Sequence, residues 1–62
     1  MNRALHIVAA HLSNDARVKS YVSMLLDQDW LVDIICCKES SRPDYEVRDN
    51  LRIFRILDKY QG

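Results

Sequence analysis

Apolar residues fall into blocks separated by short polar runs, and the spacing inside each block differs along the chain. Leu5 to Ala10 is mostly apolar, carries β-branched Ile7 and Val8, and is followed by polar Ser13-Asn14-Asp15, which predicts a buried strand and then a turn. From Val18 onward the apolar positions are Val18, Tyr21, Val22, Leu25 and Leu26, the stripe of a helix with one face on a core. Asn14, or Ser13 just before it, is expected to provide the N-cap oxygen, and Asp15 to place a negative charge at the positive end of the helix dipole. The helix is expected to end around Asp27 to Asp29, with Asp29 in the left-handed position usually held by Gly or Asn.

Trp30 to Cys37 predicts a second strand, apolar at nearly every position except Asp33, so both its faces expect cover. Lys38 to Arg42 is polar and Pro43-Asp44 marks a loop tip. Tyr45 to Arg48 and Leu51 to Leu57 flank Asp49-Asn50, a pair that tolerates positive φ, which predicts a small hairpin. Strand, helix, strand and hairpin therefore follow in order. Nearly continuous apolar strands joined by an amphipathic helix are what a parallel sheet covered on both faces looks like. The pattern contains one helix, so one sheet face is left bare. This argues for a fragment, a dimer that buries the bare face, or an omitted remainder, and the fragment is favoured.

Composition narrows the class. The chain has 62 residues, 48% hydrophobic and 29% charged, with one Gly and one Pro, which is a globular composition poor in turn-formers. A chain of this size hides only about 60% of the surface its unfolded form exposes, so its stability is expected to be marginal. Nine Lys and Arg balance nine Asp and Glu, and no basic run marks a nucleic-acid surface, so no nucleic-acid partner is expected. His6 interrupts the N-terminal apolar run and no small-residue cleavage pattern follows, so the segment reads as mature structure. No stretch approaches the ~20 apolar residues a spanning helix needs. A cytoplasmic protein is expected, with peripheral association at a membrane surface left open. Cys36 and Cys37 are adjacent, so a disulfide between them would be strained, and core packing is the preferred role for both.

Ligands of open parallel sheets sit beyond the carboxyl ends of the strands, which directs attention to the segment from Ala10 to Asp15. It contains no glycine, so a dinucleotide or P-loop site is not expected there, and no cofactor is implied. His11 could hydrogen-bond a sugar hydroxyl or a phosphate, or stand as an ordinary surface residue; His6 reads as a core or interface histidine. Asn14 and Asp15 need no role beyond capping. Arg17, a cation in the first helical turn, opposes the dipole and expects a partner: a carboxylate such as Asp15 or Asp33, an anionic ligand, or an adjoining domain. The two cysteines lack the further ligands a zinc site requires, and no nucleophile-base pair can be named. Tyr21 and Trp30 read as core.

The segment from His11 to Val18 contains Asn14-Asp15-Ala16-Arg17-Val18; a leucine-bearing helix end and the strand start Asp29-Trp30-Leu31-Val32 follow, and then Asp49-Asn50-Leu51-Arg52-Ile53-Phe54-Arg55. In order and spacing these segments resemble the N-terminal opening of family 4 glycosyltransferases of the GT-B fold. Those enzymes commonly show Asn-Asp-x-Arg-Val after the first strand, a Gly-His-x-Val strand start, and a later Asp-Gly-Val-x-Val-x-Arg strand. Asp29 and Asn50 stand where the family has glycine, and both can adopt the backbone required there. The resemblance implies an α/β fold, the opening strand-helix-strand-hairpin unit of a Rossmann-like parallel sheet, expected to be incomplete. Residues 1–62 would form part of the acceptor-side domain. His11, Asn14, Asp15 and Arg17 would be the matched positions near the interdomain cleft. The full-length enzyme would take a nucleotide sugar and a glycan or lipid-linked acceptor, with the donor held by a C-terminal domain absent from this sequence. The chain alone is expected to be inactive. A small interaction module that dimerises through its bare sheet face is the alternative.

Overall fold

A computed structural model describes residues 2–12 and 15–58. Strand β1 (Arg3–Ile7) leads to helix α1 (Ala16–Asp27), then to β2 (Leu31–Cys37), β3 (Tyr45–Arg48) and β4 (Leu51–Leu57). The strands form one sheet in the order β1-β2-β4-β3, in which β1, β2 and β4 run parallel and β3 returns antiparallel to β4. The protein is therefore mixed α/β, with a four-stranded sheet and a single helix among the described residues.

The strand expected at Leu5 to Ala10 lies earlier, at Arg3–Ile7. Pairing rather than hydropathy sets its position: Leu31 N–H donates to Asn2 O at 2.8 Å, and Arg3 aligns with Leu31. Val8 N–H still donates to Ile35 O at 2.8 Å, after which the chain bends through Ala9 and Ala10. Val8 and Leu12 are buried even though both lie beyond the strand, so the apolar run marked core residues more faithfully than strand limits.

Helix α1 is capped by Asp15, whose extended backbone turns its Oδ1 toward Val18 N–H at 3.1 Å. The capping role expected of Asn14 or Ser13 thus falls to Asp15, three residues before the donor it satisfies; Ser13 and Asn14 lie outside the described residues. The helix closes in a Schellman arrangement. Asp29 has φ 62°, its N–H donates to Leu26 O at 3.0 Å, and Trp30 N–H reaches Leu25 O at 3.1 Å. Trp30 packs against the cluster containing Leu25, the hydrophobic contact that commonly accompanies this cap. At the hairpin, positive φ falls on Asp49 (φ 51°) and not on Asn50, one residue before the position where the resemblance places glycine.

Register divides the side chains between two faces. Ala4, His6, Val32, Ile34, Leu51, Ile53 and Arg55 share the face packed by α1, where Val22 and Leu25 meet Val32 (0% exposed) and Ile34 (1%). The opposite face carries Leu5 (59% exposed), Ile7 (68%), Tyr45, Val47 and Ile56, with no layer of described residues over it. β2 therefore alternates in burial instead of being covered on both sides, as its apolar run had suggested. Tyr21, expected in the core, is half exposed; its ring meets His6 edge-on at 5.1 Å. Cys36 and Cys37 are both buried free thiols at a register shift between β2 and β4, which breaks the strict alternation their adjacency implied.

Candidate functional site

The carboxyl edge of the sheet holds Val8 to Leu12 and the cap residue Asp15. Cys37 N–H donates to Ala10 O at 3.1 Å and Asp15 N–H to Leu12 O at 3.1 Å, so backbone bonds fasten the loop to the end of β2 and to the start of α1. His11 is half-buried here, Asp15 spends its carboxylate on the cap, and Arg17 is exposed in the first turn of α1. Neither His11 nor Arg17 makes an ion pair or side-chain hydrogen bond among the described residues. Of the four expected positions, His11, Asp15 and Arg17 thus share one edge with no hydrogen bond or ion pair between their side chains, and Asn14 lies outside the described residues.

Arg17 also loses the carboxylate partners foreseen for it. Asp33 lies on the open face, bound by Arg52 through two parallel bonds of 2.7 Å, Nε to Oδ1 and Nη2 to Oδ2. That fork holds the Asp33 carboxyl below the usual carboxylate range, chiefly through the hydrogen bond from Arg52. The Arg52 guanidinium also stands 5.8 Å from the Phe54 ring centre, placing a cation over an aromatic face in the open surface.

A second constellation lies on the helix side. Because α1 covers β2 but not the hairpin, a groove of about 810 Å³ runs between α1 and β4, lined on its polar walls by Lys19, Ser23, Arg42, Arg48 and Arg55. Asp27, Asp29 and Asp49 line it as well. Arg55 is 3% exposed, and its Nη1 donates to Pro43 O at 3.0 Å and to Glu46 Oε1 at 2.9 Å. Glu46 is shared, since Arg48 Nε lies 2.9 Å from its other oxygen. The hydrogen bond from Arg55 is the main reason that the Glu46 carboxyl sits below its ordinary value. Cys36, level with Arg55 on β2, has its thiol pushed up by burial, which disfavours a nucleophilic thiolate there.

Sequence reasoning passed over this groove, although one signal was present: a charged residue inside the apolar run of β4 must find partners if that strand is buried. Among the described residues no His, Cys, Asp and Glu side chains are grouped to hold a metal ion, and no helix is long and apolar enough to cross a membrane. Comparison of the chain with protein-family models, with curated proteins and with solved structures found no match.

Proposed function

We propose that the chain is the opening unit of the acceptor-side, Rossmann-like domain of a family 4 glycosyltransferase, an enzyme that moves a sugar from a nucleotide donor to a carbohydrate or lipid-linked acceptor. The observation that carries this reading is Asp29. The resemblance requires a glycine-like residue between the helix and the second strand, and the backbone there is left-handed at φ 62°. Further support comes from the parallel pairing of β1, β2 and β4, and from the fastened segment that holds His11 at the carboxyl edge of the sheet, near Arg17 at the start of α1. In this reading His11, Asn14, Asp15 and Arg17 border the acceptor cleft, the donor binds to a second domain, and the 62-residue chain transfers no sugar.

The test is a transfer assay with a panel of radiolabelled nucleotide sugars, run on this chain and on whatever longer product its reading frame encodes. Transfer by the longer product and none by the chain is expected. A frame without a second nucleotide-sugar-binding half would sink the enzyme reading.

One observation favours a second reading. The exposed Leu5, Ile7, Tyr45, Val47 and Ile56 suit an interaction module that pairs with itself through this face. Sedimentation separates the two: a tight dimer that melts cooperatively supports the module, and a poorly folded monomer supports the fragment.

A further inference from the structure

The sheet ends in β1 on one side and in β3 on the other, and the hydrogen bonds fix which backbone groups each leaves free. Leu31 N–H donates to Asn2 O and Val8 N–H to Ile35 O, so the even-numbered residues along β1 turn both backbone groups toward β2. Arg3, Leu5 and Ile7 therefore turn theirs away from the sheet. On β3, Arg55 N–H donates to Asp44 O, which leaves Tyr45 and Val47 turned outward. No described strand pairs with either outward set. β1 lacks the usual devices that block an edge: it has no proline, its pairing with β2 has no register shift, and Arg3 is its one permanent charge. Leu5 and Ile7 are apolar and exposed, and α1 rests mainly on β2, one strand inward.

A second copy of the chain matches this edge in one antiparallel register. With Leu5 opposite the partner's Leu5, Arg3 stands opposite the partner's Ile7 and Ala4 opposite the partner's His6. Every outward N–H and C=O of Arg3, Leu5 and Ile7 then has a partner, whereas a shift of two residues either way carries Arg3 or Ile7 past the limits of the other strand. No like charges oppose each other in this register. The two Leu5 side chains meet at the two-fold axis, and each Ile7 lies beside the aliphatic stem of the partner's Arg3. On the helix side Tyr21 stands at the level of His6, near the axis, so Arg17, one turn earlier, is carried away from the partner's Arg17. β3 meets the same demands less well. Pairing it with itself uses Tyr45 and Val47 alone; it gains Asp44 opposite the partner's Arg48, but sets Glu46 directly against the partner's Glu46, at the close spacing of a pair without hydrogen bonds.

We infer that β1 is a pairing edge for a second copy of this chain, joined antiparallel through Arg3, Leu5 and Ile7 into one continuous sheet. An extended segment of another protein is the other occupant that an edge strand admits, and the self-complementary register is what favours the copy. The pairing is separate from both functional readings above: it needs no sugar donor, and it leaves the apolar open face bare.

Sedimentation equilibrium of the chain over a wide range of concentration, with amide exchange of the ¹⁵N-labelled protein at both ends of that range, tests it. A monomer–dimer equilibrium is expected, in which rising concentration slows exchange at Arg3, Leu5 and Ile7 and leaves Tyr45 and Val47 fast. Leu5→Pro deletes an outward N–H and no bond of the internal ladder, so it should keep the monomer fold. It should weaken dimerisation by about tenfold or more, because the two-fold axis removes the bond twice. Ile7→Lys sets a lysine opposite the partner's Arg3 and should weaken it by a similar factor; adding Arg3→Glu to that variant makes the opposed pair attractive and should restore association. The rescue keeps the test decisive if the proline variant fails to fold. A chain that stays monomeric throughout, a dimer in which Arg3, Leu5 and Ile7 exchange as they do in the monomer, or a charge exchange that restores nothing would each overturn the inference. A dimer indifferent to Leu5→Pro would overturn it too, and would leave pairing through the open face standing.

Discussion

The two faces of this sheet are built from similar residues and have opposite fates. On one, Val32, Ile34, Cys36 and Ile53 are packed under Val22 and Leu25 of α1; on the other, Leu5, Ile7, Tyr45, Val47 and Ile56 are left in contact with solvent. Hydrophobicity alone does not decide which face becomes the core. The helix decides it, through a stripe that begins at Val18, whose N–H the Asp15 cap accepts, and ends in the Asp29 left-handed turn. The charged groups follow the same division. Arg52 and Asp33 pair on the open face where water screens them, and Arg55 is buried on the covered face, where each unused donor matters.

The largest expected effect comes from breaking the covered face. A domain of this size has only about 3 to 9 kcal/mol of stability, and truncating a fully buried isoleucine removes about 2 to 5 of it. Ile34→Ala should therefore remove about half of the chain's stability, measured by urea titration of far-ultraviolet circular dichroism. On the open face the doubled change Leu5→Ser with Ile7→Ser should cost the monomer less than about 1 kcal/mol, since neither side chain is removed from water. If a second copy covers that face, the same pair of changes instead weakens association by tenfold or more in sedimentation equilibrium. A doubled variant that loses as much stability as Ile34→Ala without changing association would erase the distinction between the faces.

The contrast also shows what was legible beforehand. The helix stripe was readable because a period of 3.6 admits few alternatives, and the bare face followed from finding one helix for a two-sided sheet. The limits of β1 were not readable, because Asn2 and Arg3 are polar residues that enter the ladder only through the partner Leu31. The Asp33–Arg52 pair was likewise hidden: it joins strands 19 positions apart, and only the parallel register of β2 with β4 sets the two residues side by side. Arg17 shows the converse failure. Asp15 and Asp33 were among the partners expected for it, beside an anionic ligand or an adjoining domain, but tertiary geometry gave Asp33 to Arg52 and the cap gave Asp15 to Val18. Of the candidate site, the edge was foreseen and the groove was not.

Acid should sharpen the difference between the two ion pairs. The folded-state pKa values of both Asp33 and Glu46 are lowered, so each contributes stability that is complete above the ordinary carboxylate range of about pH 4 to 4.5 and is lost as pH falls through the lower folded values. Stability should be level near neutrality and decline below that range, and Asp33→Asn or Glu46→Gln should each flatten the decline. At neutral pH the two variants part company. Glu46→Gln removes the charge that faces the buried Arg55 and should lower the melting temperature clearly, whereas Asp33→Asn acts at a pair whose arginine is 42% exposed and should lower it less. Equal losses at neutral pH would mean that the open face is covered after all.

The smallest effect concerns the turn that sets where the covered face ends. Asp29 holds a left-handed backbone at φ 62°, a conformation that costs a residue with a Cβ roughly 1 kcal/mol, and the Schellman bonds to Leu25 and Leu26 keep it there. Glycine removes that strain but loses more entropy on folding, by about 0.5 to 1 kcal/mol. Asp29→Gly should therefore range from neutral to about 0.5 kcal/mol stabilising, and Asp29→Val, whose branched side chain tolerates this region worst, should destabilise by more than that. The sign of the difference between the two variants is the informative quantity in chemical denaturation. If valine were tolerated as well as glycine, the left-handed turn would not be what terminates α1, and the position of Trp30 at the entrance to β2 would need another cause.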